Sequence, residues 1–373
     1  MKWAFWIAAS LIAYTYVGYA GWLRLRALWS PRPVRRGECL PSVSIVMVVR
    51  NEADVLSGKL LNLMELDYPA DRCEIVVVSD GSTDGTEAIL GEHRLNPRLK
   101  VKINAVAKGK AAGLNDAVAM AQGELIVFTD ARQKIEAGAV RLLAENFADP
   151  EVGCASGELM LGDAGRGEET MGPGLYWKIE KKIRDLESAS GSVVGATGAL
   201  YAVRRGLLVP VPPGTILDDV YVPMHVVRQG ARVVFDERAR AWDRPNLGTR
   251  REFGRKVRTL SGNYQLVQLA PWLMTFRNPL WLEFMSHKLL RLFVPFALVV
   301  TLGSTFFLAA PVYRLALAVQ LVFYALGLLA MVPLRKGPLH RVTDAAFTFV
   351  VLNSAAVVAF ANFVTGRKPG WLR

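Results

Sequence analysis

Apolar residues follow two patterns along this chain: long unbroken runs near both ends, and short runs separated by polar turns between them. Residues 4–22 (AFWIAASLIAYTYVGYAGW) carry no charge, and a helix of that length at ~1.5 Å per residue matches a hydrocarbon layer about 30 Å thick. Three similar runs lie at about 292–310, 315–334 and 345–364, with Pro311 between the first two and RKGPLHR between the last two. The leading run is longer than the apolar segment of a cleaved signal peptide and is followed directly by an Arg-rich stretch, so it reads as a span.

Between these ends, VSIVMVV (43–49), EIVVVS (74–79), VKINAV (101–106) and ELIVFT (124–129) read as buried strands. Helical patterns near 53–66, 84–94, 110–121 and 136–147 alternate with them. Such alternation predicts right-handed βαβ units and a mostly parallel α/β sheet. Past residue 150 the pattern loosens. Leu175, Ile179, Ile183 and Leu186 mark one helix face, GALYAVRR reads as a strand, and TILDDVYVP brings an acidic cluster. Phe253, Val257, Leu260, Tyr264 and Val267 then follow helical spacing, with Arg251, Arg255 and Arg258 on another face; this predicts a basic amphipathic helix in the membrane interface.

The resulting organisation is a spanning helix (1–23), a basic linker (24–41), a water-soluble domain (42–245), interfacial helices (246–288), three spans (289–366) and a basic tail (367–373). Arg24, Arg26, Arg32, Arg35 and Arg36 follow the first span and outnumber Lys2 before it. By the positive-inside rule the domain is expected on the cytoplasmic side of the inner (plasma) membrane of the cell, in a multi-pass protein. Arg335, Lys336 and Arg341 agree with that topology, whereas four spans place Arg367, Lys368 and Arg373 on the opposite side. Much of the net charge of +12 falls in the linker, the amphipathic helix and the loops beside spans, which points to anionic membrane lipids and not to nucleic acid. Cys39, Cys73 and Cys154 are widely spaced, show no metal-ligand pattern and fit a reduced compartment.

The candidate chemistry sits at strand ends. In VVVSDGSTDGT, Gly81 and Gly85 permit a tight turn; Asp80 is placed to accept hydrogen bonds from a bound ligand, while Asp84 reads as a helix cap. In AKGKAAGLNDA, Lys108 and Lys110 flank Gly109 ahead of a helix, which suits a diphosphate or is a solvated charge pair. ELIVFTDAR delivers Asp130 into a cleft, where one carboxylate is enough for a hard divalent cation shared with phosphates. In ILDDVYVPMHVVRQG, one of Asp218 and Asp219 can serve as a general base and the other as an N-cap, while His225 reads as a packing residue. VVRNEAD follows the first strand where a dinucleotide site needs G-x-G-x-x-G, which sets a nicotinamide dehydrogenase aside.

Taken in order, these motifs from about Ser42 to Gln265 resemble the membrane-bound family 2 glycosyltransferases, which include cellulose, chitin, hyaluronan and poly-N-acetylglucosamine synthases. The resemblance implies a GT-A nucleotide-sugar domain and an inverting, metal-dependent transfer with Mg2+ or Mn2+, most readily from a UDP-sugar. It places Arg50, Asn51 and Glu52 beside the nucleotide, Asp80 on its uridine side, Lys110 near the diphosphate, and Asp130 as first member of an Asp-x-Asp pair that holds the metal. Asp219 matches the base, next to Asp218, and ATGALYAVRR, with Thr197 and Gly198, matches the loop facing the acceptor. Two positions depart from the pattern: Arg132 replaces the second aspartate, and Thr259 replaces the tryptophan of the Arg255-x-x-Arg258-Trp motif. Arg258 remains to clamp the leaving diphosphate, and Trp177 in GLYWKIEKK is either a sugar-stacking replacement or an interfacial aromatic. The implied acceptor is a growing polysaccharide or, alternatively, a lipid. Arg132 and Thr259 also leave open an inactive nucleotide-sugar sensor or partner subunit.

Overall fold

The computed structural model describes residues 1–162, 175–243, 249–332 and 337–367. One eight-stranded sheet organises the middle of the chain in the order β3-β2-β1-β4-β7-β6-β8-β5. Its strands are β1 (Val43–Val49), β2 (Cys73–Asp80), β3 (Leu99–Asn104), β4 (Leu125–Phe128), β5 (Lys134–Ile135), β6 (Val152–Leu161), β7 (Tyr201–Arg204) and β8 (Arg232–Asp243). The half β3-β2-β1-β4 is parallel throughout, as the alternation predicts. The other half is mixed: β7 runs antiparallel to β4 and β6, β5 antiparallel to β8, and β6 parallel to β8.

Alternate residues of a strand face opposite sides of a sheet, and here both sides are covered. Val46, Val76, Val78 and Phe128 pack into one core with Ala111, Leu114 and Met224; Ile45, Met47, Ile75 and Val77 pack into the other with Leu56, Leu60 and Leu143. The chain moves outward from β1 to β2 and β3, then returns to place β4 on the other side of β1. Open α/β sheets bind ligands at such a reversal of strand order, outside the carboxyl ends of the strands.

The helices are α1 (Lys2–Trp29), α2 (Ala53–Met64), α3 (Thr86–Glu92), α4 (Lys110–Met120), α5 (Ala139–Glu145), α6 (Leu175–Ser190), α7 (Asp218–Arg228), α8 (Thr249–Leu269), α9 (Trp281–Thr305), α10 (Pro311–Leu329) and α11 (Pro338–Val364). Of these, α1, α9, α10 and α11 are long and apolar enough to cross a membrane. All four extend beyond the runs read from sequence at one end or both; in particular α1 continues into the basic linker and α9 begins inside the expected interfacial segment. The first turns of α9 pack against the domain, burying Phe284, Ser286, His287 and Leu289. Tyr14 of α1 meets Ser286 at 2.9 Å, and Arg26, a linker arginine by sequence, pairs with the buried Glu283. The amphipathic α8 stacks Tyr264 on Phe363 of α11 with ring centroids 4.9 Å apart. Arg251, Arg335, Lys336, residues 368–373 of the basic tail and the 245/246 boundary lie outside what is described of side chains or backbone.

Candidate active site

The loops leaving β1 and β2 are tied together before any ligand enters. Asn51 takes a left-handed conformation (φ 54°), which asparagine tolerates better than most residues. Its side-chain carbonyl accepts the Thr83 N–H at 2.7 Å, and its own N–H donates to Ser82 Oγ at 3.2 Å. Asp84 accepts the Thr86 N–H at 3.0 Å at the start of α3 and the Ala53 N–H at 3.1 Å at the start of α2. The N-cap residues of α3 and α2 are Gly85 and Glu52, so Asp84 is not the cap expected of it; its carboxylate ties the two helix starts together from the residue before Gly85.

Asp80 ends β2 only 2% exposed, with its two oxygens on the backbone N–H groups of Lys108 (2.7 Å) and Gly109 (2.8 Å). Gly81 beside it has φ 64°, and a Cβ there would stand 2.5 Å from the Ala107 nitrogen, so no side chain fits. Together they fix the turn that delivers Lys110 as the first residue of α4. Lys108 itself meets Asp80 through its backbone.

Lys110 reaches two carboxylates, Asp130 Oδ1 at 3.0 Å and Asp218 Oδ2 at 3.4 Å. Burial works against its charge, but Asp130, Asp218 and Asp219 outweigh that and hold its pKa above the ordinary lysine value. Leu217 is the N-cap residue of α7, so neither aspartate caps the helix; both lie in its first turn with other partners. Asp218 faces Lys110, and Asp219 Oδ2 accepts the Gly198 N–H at 3.2 Å. Burial first, then the charge of Asp218, push the Asp219 carboxyl up to about 6, with Lys110 pulling the other way.

Gly198 shows how closely these groups converge. A Cβ on it would sit 3.3 Å from Asp219 Oδ2 and 3.8 Å from Asp130 Oδ2, so the missing side chain leaves a space bordered by both carboxylates. Mg2+ and Mn2+ bound with phosphates take one or two protein carboxylates, and this donor set fits them. Among the described residues no group of three or more His, Cys, Asp or Glu is arranged to hold a metal alone. Arg132, at the place of the second aspartate, pairs instead with Glu52 at 3.4 Å. Arg50 is exposed at the end of β1.

Residues 44–209 match the family model described as glycosyl transferase family 2. These residues are a family 2 glycosyltransferase domain. Similar curated proteins include a beta-monoglucosyldiacylglycerol synthase of Synechocystis, 29% identical over 171 residues, covering 45% of this chain and 36% of that protein. Another is a poly-beta-1,6-N-acetyl-D-glucosamine synthase of Staphylococcus epidermidis, 24% identical over 242 residues, covering 64% of this chain and 57% of that protein. The chain thus spans between a third and three-fifths of the length of these relatives. Among solved structures, a mannosyltransferase from Pyrobaculum calidifontis in complex with GDP-Man and Mn2+ superposes with a TM-score of 0.75 at 22% identity, covering 98% of this chain and 100% of that one. That likeness establishes a GT-A fold, which the apolar helices of this chain flank.

The remaining expected site residues of the family 2 domain and its flanking helices are distributed more widely. Thr197 donates its N–H to Ser156 Oγ at 3.0 Å, holding the loop that ends at Gly198. Gly262 of α8 lies against Leu217, where a Cβ would come within 2.5 Å of the leucine side chain, and Gln265 bonds the Ile216 N–H and the Gly214 carbonyl at 2.8 Å each. Arg258 is one turn before Gly262 on the same face of α8, half-buried, and Arg255 is exposed. Trp177 is half-buried in the first turn of α6, one turn before Lys181, which pairs with Glu158 and Glu237. His225 bonds the Tyr221 carbonyl at 2.9 Å and packs between the Tyr221 and Trp272 rings, as a packing residue does.

Lys59 and Tyr201 are among the buried polar residues of the domain that sequence reasoning passed over. Lys59 was legible as a cation on the apolar face of α2, among Leu56, Leu60 and Leu63. Tyr201 lies in GALYAVRR with no mark to distinguish it. Its ring stacks on Phe128 with centroids 4.6 Å apart, and its fully buried hydroxyl has no hydrogen-bond partner among the described residues. Burial, then Asp218 and Asp219, push its pKa well up. Removing an unsatisfied buried hydroxyl relieves its desolvation cost. Tyr201→Phe is therefore expected to raise stability by about 1 kcal/mol, measured by thermal unfolding of the purified protein; a fall would show that the hydroxyl has a partner.

Proposed function

We propose that this chain is a membrane-bound inverting glycosyltransferase that moves a sugar from a nucleotide-sugar donor, of the UDP type, to a growing polysaccharide. The observation that carries the reading is the convergence of Lys110, Asp130 and Asp219 around Gly198 at the point where strand order reverses. In this scheme the bond between the anomeric carbon and the β-phosphate oxygen breaks as an acceptor hydroxyl attacks from the opposite face, so configuration inverts. Asp219 takes the hydroxyl proton, and its raised pKa makes it a stronger base than an ordinary aspartate. Lys110 and Arg258 meet the charge that builds on the departing diphosphate. Asp130 would hold the divalent cation, which supplies further neutralisation of phosphate charge when bound. Asn51 and Glu52 border the nucleotide, with Arg50 at the rim, while Asp80 acts through the Lys108–Gly109 turn. Thr197, Gly198 and Asp218 face the acceptor side, and Trp177 and Arg255 lie at its outer edge.

The Arg-rich start of the linker supports a domain on the cytoplasmic side of the inner membrane. A lipid acceptor is the second reading, favoured by the glycolipid-forming relative and by the burial of α9 against the domain. Membranes containing the chain, incubated with Mn2+ and labelled UDP- or GDP-sugars, separate these readings. Label in high-mass, glycosidase-sensitive product supports the polysaccharide, and label extracted by organic solvent supports the glycolipid. Nucleotide binding without turnover of any donor would overturn both and favour a sensor.

A further inference from the structure

Lys59 is 3% exposed on α2, and its neighbours on that helix face, Leu56, Leu60 and Leu63, are fully buried. Placing an amine there is costly, and a leucine or methionine would fill the same volume. Among the described residues it forms no ion pair. It donates instead to Thr129 Oγ1 at 2.9 Å and to the Gln133 carbonyl at 2.6 Å. These two acceptors bracket the turn that carries Asp130 and Arg132. The Thr129 hydroxyl, accepting from Lys59, donates its own hydrogen bond to the Ala199 carbonyl at 2.9 Å, next to Gly198. One buried amine thus fastens the loop bearing the diphosphate-side carboxylate to the loop that faces the acceptor.

We propose that Lys59 is a positioning residue for transfer: it clasps the Thr129–Gln133 turn so that Asp130 is presented to the donor, and through Thr129 it sets the spacing between donor and acceptor loops. The inference rests on the reading of Asp130 given above. Two donors suffice for the two bonds, so the clasp holds whether the amine carries two protons or three. With Arg132 in place of a second carboxylate, the orientation of Asp130 falls to its supports.

The test uses the full chain in detergent or nanodiscs as wild type, Lys59→Met, Lys59→Arg, Thr129→Val and Asp130→Asn. Three quantities are read: the melting temperature without ligand, the Mn2+ concentration that half-saturates the thermal shift given by UDP or GDP, and kcat and KM for the active donor. Lys59→Met is expected to keep or raise the melting temperature, because a thioether carries no desolvation cost. Its half-saturating Mn2+ concentration should rise about 10- to 100-fold, the usual effect of losing a residue that orients a ligand, with kcat falling as well. Lys59→Arg should recover part of this, and Thr129→Val should fall between. A Lys59→Met variant with the Mn2+ response and kcat of wild type overturns the proposal, provided Asp130→Asn abolishes both. If wild type and Asp130→Asn respond alike, the reading of Asp130 itself fails. Should Lys59→Met not fold, Thr129→Val decides by the same readouts, since it removes one hydroxyl and leaves the lysine.

Discussion

Asp219→Asn is expected to lower kcat by about 10²- to 10⁴-fold, the range for loss of a general base, while the protein stays folded. The asparagine carbonyl still accepts the Gly198 N–H now held at 3.2 Å, and Lys110 keeps Asp130 and Asp218 as partners. Stability near neutral pH should be equal or higher. The Asp219 carboxyl is pushed up to about 6 in the fold, above its value in an unfolded chain, so the native state binds a proton more tightly and loses stability as pH rises through that interval. Asparagine removes this loss. The same shift sets the acid limb of the wild-type rate: the base must be ionised, so turnover should fall as pH drops through about 6. Initial rates from pH 5 to 8 with the active donor, on wild type and Asp219→Asn, check both statements. A variant with wild-type kcat, or a wild-type profile flat across that range, would remove Asp219 from the base role.

The parallel half of the sheet was readable because β1, β2 and β4 are covered on both faces and can use Val, Ile and Leu almost without interruption. β6 and β8 escaped notice for the opposite reason. β6 is built from small residues, with Gly153 and Gly157 where neighbours crowd the backbone, and β8 is charged in its second half. Asp236 there is 1% exposed yet satisfied by Arg238 at 2.8 Å and Asn146 at 2.8 Å, partners that hydropathy does not reveal. The site shows the same division. Asp130, Lys110 and Asp219 were legible because strand ends and helix starts fix where they point. The engagement of Asp80 with two backbone amides was not, since backbone donors have no letter in the sequence. Nor was the boundary between spans and domain: α9 begins with residues that a hydropathy pattern assigns to an interface but that the domain buries.

That junction carries the second large expectation. Glu180 and Glu187 of α6 both reach His287 of α9, at 2.8 Å from Nε2 and Nδ1 respectively. Tyr19 of α1 donates to Glu187 at 2.6 Å, and Arg291 donates to Glu180 at 2.7 Å. Both ring nitrogens thus meet carboxylates, and the cluster sets two carboxylates against an imidazole and a guanidinium. Burial alone would push both carboxyls up. Arg291 and His287 outweigh it at Glu180, His287 and Tyr19 do so at Glu187, and both groups are held low, Glu180 well below the usual range. Depressed carboxyl pKa values contribute stability above the ordinary carboxylate range that is lost as pH falls through the folded values. Removing one member of a buried set leaves the others uncompensated, at about 3–5 kcal/mol, so His287→Ala should loosen the domain from α1 and α9 and lower the melting temperature sharply. Neutralising the set together, as Glu180→Gln, Glu187→Gln, His287→Ala and Arg291→Met in one chain, leaves neither a carboxylate nor the guanidinium without its counter-charge and should cost less than the single change. Thermal unfolding of both variants in nanodiscs decides the matter: a single variant as stable as wild type, or more stable than the fourfold variant, would show that the cluster does not fasten the spans to the domain.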